Sequence, residues 1–120
     1  AGLILSGGSD APCTLPRPLE AIHSACNHPN PSEALSVEEA LRMYTWAGAH
    51  AAFDERELGT LEVGKRANLV VLDRNPLMVP REVLRTLRVE ELLLAGKTYR
   101  PGQGVFSLLL RALVPRRVRC

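Results

Sequence analysis

The sequence predicts an α/β protein, and three stretches carry that prediction. Residues 3–5 are apolar and lead into Ser-Gly-Gly-Ser-Asp-Ala-Pro at residues 6–12, an order typical of a buried strand that ends in a turn. Residues 36–39 are Ser-Val-Glu-Glu, the pattern of a capping box at the start of a helix. Residues 69–72 are Leu-Val-Val-Leu between polar turn residues, which predicts a second buried strand.

Length and composition limit what the chain can be. Its 120 residues suffice for one modest domain, whereas a complete (β/α)8 barrel takes roughly 250 residues. Because the chain begins with Ala1 inside an apparent strand, we expect a piece of a longer protein. A net charge of +2 and an aromatic content of 4% argue against a nucleic-acid partner. No stretch approaches the roughly 20 apolar residues that cross a bilayer, so no membrane partner is expected.

The three cysteines do not form a recognisable framework. Cys13, Cys26 and Cys120 are an odd number without a short paired spacing, which favours neither disulfides nor a thiolate zinc site. A reducing compartment fits best, and we expect a cytoplasmic protein. Cys13 lies near Asp10 but has no histidine with a clear pairing argument, so an ordinary loop cysteine is the preferred interpretation over a nucleophile.

The first half of the chain is predicted to be mainly helical after its opening strand. Residues 12–18 contain three prolines and form a loop, and residues 19–26 form a short helix that a proline-rich stretch ends. Ser36 begins a longer helix, since its hydroxyl can accept the Glu39 backbone N–H while the Glu39 carboxylate reaches back. Apolar residues then recur at helical spacing as far as about Phe53, which predicts one continuous helix. Tyr44 and Trp46 are expected in the core or on a helix face.

The second half is predicted to be mostly β. Glycines bound residues 59–65, and residues 68–73 form the buried strand. One helical turn is expected at residues 80–84, followed by strands at 87–94 and 98–99 that residues 95–97 join. The tail has apolar residues at helical spacing from Val105 and ends in a basic run, which is most simply a solvated end.

At this point the order of motifs resembles the C-terminal part of the amidohydrolase superfamily. Within it, the nearest group is amidohydrolase family 3, which includes N-substituted formamide deformylases. The matching stretches are residues 8–12 (Gly-Ser-Asp-Ala-Pro), 36–41 with 44–45, 51–53, 59–73 (with Gly-Lys-x-Ala-x-Leu-Val-Val-Leu-Asp at its end) and 75–77. The first and fourth stretches together are specific, and the resemblance covers roughly residues 2–99.

The resemblance implies a fold and a role for Asp10. Residues 3–9 would be the last strand of a metal-dependent (β/α)8 barrel, and residues 59–99 would belong to a small β-sandwich. Asp10 would lie beside a divalent metal, expected to be zinc, as both a metal ligand and the general acid/base of the reaction. Such enzymes hydrolyse a carbon–nitrogen bond of a small amide-type substrate that is not a peptide, because a carboxylate beside a metal-bound water can accept its proton and return it to the leaving nitrogen.

The chain departs from the family pattern in two places. The remaining metal ligands of the family, a His-x-His pair, a lysine or acid and further histidines, would precede Asp10, and no such set is found in this sequence. His23, His28 and His50 each lack a partner at ligand spacing and are interpreted as structural or solvated. Asn68 replaces the usual aspartate of the Gly-Lys-x-Ala-Asp-Leu pattern, a change in the sandwich and not in the site.

Two functional hypotheses therefore stand. The first is the C-terminal part of a metal-dependent hydrolase, inactive by itself because one carboxylate cannot hold a metal. The alternative is a non-catalytic structural or interaction module derived from such an enzyme. The expected organisation is the last barrel strand and helices at 1–56, sandwich strands at 57–102 and a basic tail with helical spacing at 103–120. Open strand edges would favour self-association.

Overall fold

The computed structural model describes residues 2–99, which form an α/β fold, as the sequence predicts. Three helices come first, α1 (Pro18–Cys26), α2 (Val37–Met43) and α3 (Trp46–Ala51). The strands β1 (Leu69–Leu72), β2 (Val89–Leu94) and β3 (Lys97–Thr98) follow, with a 3-10 helix (Arg81–Thr86) between the first two. They form one antiparallel sheet in the order β1-β2-β3. The tail predicted at residues 103–120 lies outside the described residues.

The starts of α1 and α2 agree with the local sequence signals. Pro18 occupies the first turn of α1, where its missing N–H costs nothing and its fixed φ suits a helix. At α2 the capping box is confirmed: the Ser36 hydroxyl accepts the Glu39 N–H at 3.2 Å, and Glu39 Oε2 accepts the Ser36 N–H at 2.9 Å. Two of the donors that a helix start leaves unpaired are thereby satisfied.

The prediction of one helix from Ser36 to Phe53 is wrong, because the helix breaks between Tyr44 and Thr45. Thr45 has φ −123° and ψ −92°, which is not helical. The Tyr44 N–H bonds to the Leu41 carbonyl at 3.1 Å, three residues back, and the Thr45 hydroxyl donates to the same carbonyl at 2.9 Å. A threonine that bonds the carbonyl four residues back is a known cause of helix bending.

The strand predicted at residues 3–9 does not form in the structure. These residues run without strand pairing, and the side chains of Leu3 and Leu5 are 81% and 61% exposed. A strand needs a neighbour to pair its backbone groups, and within residues 2–99 this segment has none. The turn that follows it, at residues 10–13, forms as the sequence predicts.

The sheet is confirmed at β1, but β1 is not buried. Val70 and Val71 are 56% and 42% exposed, since the described sheet has only three strands and little covers its faces. Leu87, predicted within a strand, instead follows the 3-10 helix and is buried. The turn between β2 and β3 lies at Ala95 and Gly96, with φ of +49° and +76°. Positive φ at both central residues suits a two-residue hairpin turn.

A small core joins the helices to the 3-10 helix. Its fully buried members come from α1, α2 and the 3-10 segment: Ile22, Cys26, Ala40, Leu84 and Leu87. Leu72 of β1 packs against its edge. Elements before and after residue 56 thus pack into one core. The loop of residues 6–17 is joined to the end of α2, since the Gly7 N–H donates to the Met43 carbonyl.

Candidate functional site

Asp10 occupies a tight turn at the end of the opening segment. Its backbone has φ +50°, an uncommon conformation that aspartate tolerates better than most residues. The Cys13 N–H donates to the Asp10 backbone carbonyl at 2.9 Å and closes the turn. The bond that closes the turn is therefore made by the backbone, and the Asp10 residue is exposed. Its carboxylate is placed where a ligand can reach it.

The segment before Asp10 rests on the break between α2 and α3. The Gly7 N–H donates to the Met43 carbonyl at 3.1 Å. A Cβ added at Gly7 would lie 2.6 Å from Cζ and 2.9 Å from Cδ2 of Tyr44, distances that real side chains do not allow. A side chain at this position would force the tyrosine ring to move, because the ring occupies the space next to the backbone.

An open cleft of about 380 Å³ lies next to this turn. One wall comes from Gly8 and Ser9, directly before Asp10, and the opposite wall from the start of α1. Arg17 and Glu20 lie in it as an ion pair with a distance of 2.7 Å from Nη1 to Oε1. The full lining is Gly8, Ser9, Thr14, Leu15, Pro16, Arg17, Pro18, Glu20, Ala21, Ser24 and Tyr44. The cleft combines apolar side chains with a few hydroxyl and charged groups, as small-molecule sites do.

The described residues do not hold a metal by themselves. Within residues 2–99 no group of three or more His, Cys, Asp or Glu side chains is arranged to bind a metal ion. Asp10 offers carboxylate oxygens only, whereas a zinc site takes three or four protein ligands. The residues on either side of Asp10, Ser9 and Thr14, thus line the cleft, but no ligand set forms around Asp10 within residues 2–99.

The histidines make other contacts. Nε2 of His23 lies 3.1 Å from the Glu82 carbonyl, which links α1 to the 3-10 helix. His28 Nδ1 lies 3.2 Å from the Asn30 carbonyl within the loop after α1. His50 stacks on Trp46 with ring centroids 5.1 Å apart, and its Nδ1 lies 3.8 Å from a Glu55 oxygen.

Trp46 also contacts the charged side chain of Arg42. The Arg42 guanidinium carbon lies 4.0 Å from the Trp46 ring centroid, a cation–π contact between α2 and α3. Trp46 is half-buried, which agrees with its predicted position on a helix face. Tyr44 is likewise half-buried, and it reaches both the core and the cleft.

The shifted acid groups stabilise structure away from Asp10. Hydrogen bonds from the Ser36 hydroxyl and then the Ser36 N–H lower the pKa of Glu39. The Arg88 N–H lowers the pKa of Asp73, with the nearby Arg74 and Arg88 charges adding to the effect. In its ionised form, the Glu39 carboxylate caps α2. The ionised Asp73 carboxylate joins the end of β1 to Arg88, which lies just before β2.

The sequence analysis proposes Asp10 as a site residue but does not find the residues that line the neighbouring cleft. Tyr44 was assigned to the core or a helix face, and Thr14, whose hydroxyl donates to the Ser9 carbonyl, was given no role. Arg17 and Glu20 carry one available signal, since opposite charges three residues apart around a helix start are often paired. Tyr44 and Gly7 are 37 positions apart in the sequence, so no local sequence pattern predicts their contact.

The comparison with family models matches residues 1–100 to the amidohydrolase family. That match covers most of the chain and includes Asp10, the capping box and the strand β1. The chain belongs to the amidohydrolase family. Within residues 2–99 no helix is long and apolar enough to span a membrane.

Similar proteins come from several organisms. The chain is 43% identical over 96 residues to the N-substituted formamide deformylase of Arthrobacter pascens, covering 74% of the chain and 18% of that enzyme. It is 32% identical to the putative amidohydrolase YtcJ of Bacillus subtilis, covering 80% of the chain and 20% of YtcJ. It is 41% identical to the 5-methylthioadenosine/S-adenosylhomocysteine deaminase of Caldanaerobacter subterraneus, covering 62% and 18%.

The fold comparison gives a consistent result. The crystal structure of an uncharacterized protein superposes with a TM-score of 0.50 and 32% sequence identity, covering 66% of this chain and 20% of that one. The chain thus spans about one fifth of the length of the relatives that it matches.

Proposed function

We propose that the chain forms the C-terminal part of a metal-dependent hydrolase that cleaves a non-peptide carbon–nitrogen bond in a small amide-type substrate. The match of residues 1–100 to the amidohydrolase family carries this proposal. The names of the relatives support it, since one is a deformylase of N-substituted formamides and another is a deaminase. Residues 1–56 would complete the catalytic barrel and residues 57–102 a β-sandwich, while residues 103–120 form an additional tail.

Asp10 is the general acid/base in this proposal. A carboxylate that stands in an exposed turn beside a cleft can accept a proton from an attacking water molecule. The same carboxylic acid can then give that proton to the leaving nitrogen, so the group returns to its starting state. The cleft between residues 8–9 and α1 would hold the substrate next to it.

The divalent metal, which we propose to be zinc, would take its other ligands from outside residues 2–99. Asp10 alone gives too few ligands, so the 120-residue chain is expected to be inactive by itself and to bind no stoichiometric metal. A cytoplasmic location is part of the proposal, and the odd number of cysteines without a short paired spacing supports it. Exposed apolar strand surface would lead the separate chain to self-associate.

A hybrid enzyme tests the proposal. Residues 1–100 replace the matching segment of the Arthrobacter pascens deformylase, and hydrolysis of an N-substituted formamide is measured together with the metal content of the purified protein. We expect the hybrid to be active and Asp10→Asn to lower kcat at least about 100-fold, because loss of a general acid/base costs 10²–10⁴-fold. Asp54→Asn is the matched control, since Asp54 is also an exposed aspartate in a turn.

Each outcome decides a separate point. Full activity of the Asp10→Asn hybrid would show that Asp10 is not the acid/base. Equal losses in the Asp10 and Asp54 variants would show that any exposed aspartate of the segment has the same effect. Metal analysis of the 120-residue chain alone is the companion measurement. One tightly bound ion per chain that Asp10→Asn abolishes would contradict the view that the ligands lie elsewhere.

A further inference from the structure

We propose that Tyr44 is a positioning residue for Asp10, and that the break between α2 and α3 exists to hold the Asp10 segment. The inference rests on the proposed role of Asp10 as acid/base and adds to it the residue that fixes its backbone. In this inference Tyr44 takes no part in the reaction itself, although its side chain also lines the cleft. It acts through Gly7, three residues before Asp10.

The first support is the contact itself. The Tyr44 ring lies so close to Gly7 that a single added carbon would meet three ring atoms at less than 3.0 Å. The adjacent glycine offers a contrast, since a Cβ at Gly8 would meet nothing within 4 Å. The close fit is therefore particular to Gly7, and the ring confines the backbone at that point.

The second support is the carbonyl that the helix break releases. In a continuous helix the Met43 carbonyl would accept the N–H four residues later, in α3. Because α2 ends at Met43 and Thr45 is not helical, this carbonyl has no helical partner, and it accepts the Gly7 N–H at 3.1 Å. The helix break thus frees the Met43 carbonyl to accept the Gly7 N–H, and it places the Tyr44 ring next to Gly7.

A second anchor lies on the other side of Asp10. The Thr14 hydroxyl donates to the Ser9 carbonyl, and the Cys13 N–H donates to the Asp10 carbonyl at 2.9 Å. Asp10, with its φ of +50°, lies between the Gly7 anchor and this turn. An unusual backbone conformation persists only where its surroundings hold it on both sides. Removing the Gly7 anchor should therefore loosen the turn that carries Asp10.

Amide hydrogen exchange of the 120-residue chain tests the anchor without any need for activity. We expect Gly7→Ala and Tyr44→Ala each to lower the protection of the residue 7 and Cys13 amides about fivefold or more, with the amides of α1 unchanged. Gly8→Ala and Tyr44→Phe should leave all of them unchanged, because the first adds a carbon in open space and the second keeps the ring. The α1 amides show whether each variant has folded.

The hybrid enzyme tests the consequence for Asp10. We expect Gly7→Ala and Tyr44→Ala each to lower kcat about 10- to 100-fold, since a small displacement of a catalytic group has effects of that size. KM should change little in Gly7→Ala, because Gly7 is not among the residues that line the cleft. The kcat of the double variant Gly7→Ala/Tyr44→Ala should be no lower than that of Tyr44→Ala alone, because the added methyl group clashes only when the ring is present.

The outcomes separate this inference from the proposed function. If Asp10→Asn lowers kcat but Gly7→Ala and Tyr44→Ala do not, Tyr44 does not position Asp10. Fully additive losses in the double variant, or lost protection of the residue 7 amide in Tyr44→Phe, would also overturn the inference, since the effect would not come from the ring against Gly7. If instead Asp10→Asn is fully active, the proposed function fails, and the exchange data still report whether the anchor exists.

Discussion

At the scale of single residues, Cys26 and Cys13 are in opposite environments. Cys26 is fully buried in the core, and this burial raises the pKa of its thiol, with the Arg81 charge opposing the rise. Cys13 is exposed in the turn after Asp10. Because the thiolate is the reactive form and must also be reached, the two should differ strongly toward a thiol reagent.

We expect Cys13 to be labelled in the native chain at least about 100-fold faster than Cys26, which reacts only when the core opens. Mass spectrometry of peptides after timed labelling distinguishes the two sites. Addition of urea should make the two rates similar. Equal rates in the native chain would mean that α1 does not pack as the structure shows.

At the scale of elements, the capping box of α2 gives a stability difference with a defined pH dependence. Ser36→Ala should lower the free energy of unfolding by about 1 kcal/mol at pH 7. The folded state lowers the pKa of Glu39 below its ordinary 4.5, so its contribution is present above that value. The contribution is lost as the pH falls through the lowered pKa, because the protonated acid accepts these bonds poorly.

Urea unfolding of Ser36→Ala and the parent chain at several pH values measures this effect. The difference between the two should shrink as the pH falls below about 4.5. Glu39→Ala removes the carboxylate of the capping box and is measured in the same way. Glu38→Ala is its matched control, since both are exposed acids in the first turn but only Glu39 is in the box. Equal midpoints for these two variants would assign the effect to the helix dipole alone.

The hairpin of β2 and β3 contains a correctable strain. Ala95 adopts φ +49°, where a non-glycine residue costs about 1–2 kcal/mol and asparagine costs less. Ala95→Asn should therefore stabilise the chain by about 0.5–1 kcal/mol. Gly96→Ala should do the reverse, because φ there is +76° although a Cβ would meet only Ala67 at 4.0 Å. Thermal unfolding checks both, and a destabilised Ala95→Asn would show that the turn takes another form.

At the scale of the whole molecule, signals that act over a few residues predicted the fold best. The cap at Ser36 and the turn at Gly96 each depend on neighbours in sequence, and each forms as predicted. The helix predicted at residues 19–26 also forms, and it begins one residue earlier, at Pro18. The helix break at Thr45 was missed because the apolar spacing continues through it. Leu87 was placed in a strand because β and core patterns look alike over four residues.

In the candidate site, too, local features could be predicted and contacts between distant residues could not. The turn that carries Asp10 could be predicted, since two glycines, an aspartate and a proline lie within residues 7–12. The Tyr44 contact and the Met43 acceptor could not, because they join residues more than thirty positions apart. The opening strand failed for a related reason: its apolar residues indicate burial, but strand formation depends on neighbours beyond residues 2–99.

That unpaired apolar surface leads to the last prediction, which concerns association. Leu3, Ile4 and Leu5 are exposed, and β1 is an edge of the described sheet with an uncharged Leu-Val-Val-Leu sequence. An apolar, unprotected edge pairs readily with another chain. The 120-residue chain should therefore show an average mass by light scattering that rises with concentration.

Val71→Lys should reduce that rise, because a lysine on an edge strand opposes strand pairing. Val71 is 42% exposed and pairs with Glu91 of β2, so a lysine there can reach solvent and a carboxylate without disrupting the sheet. Leu77→Lys is the matched control, since Leu77 is 56% exposed but lies outside the strands. If both lysines act equally, general charge repulsion explains the effect. A single monomer mass at all concentrations would show that the exposed edge does not pair.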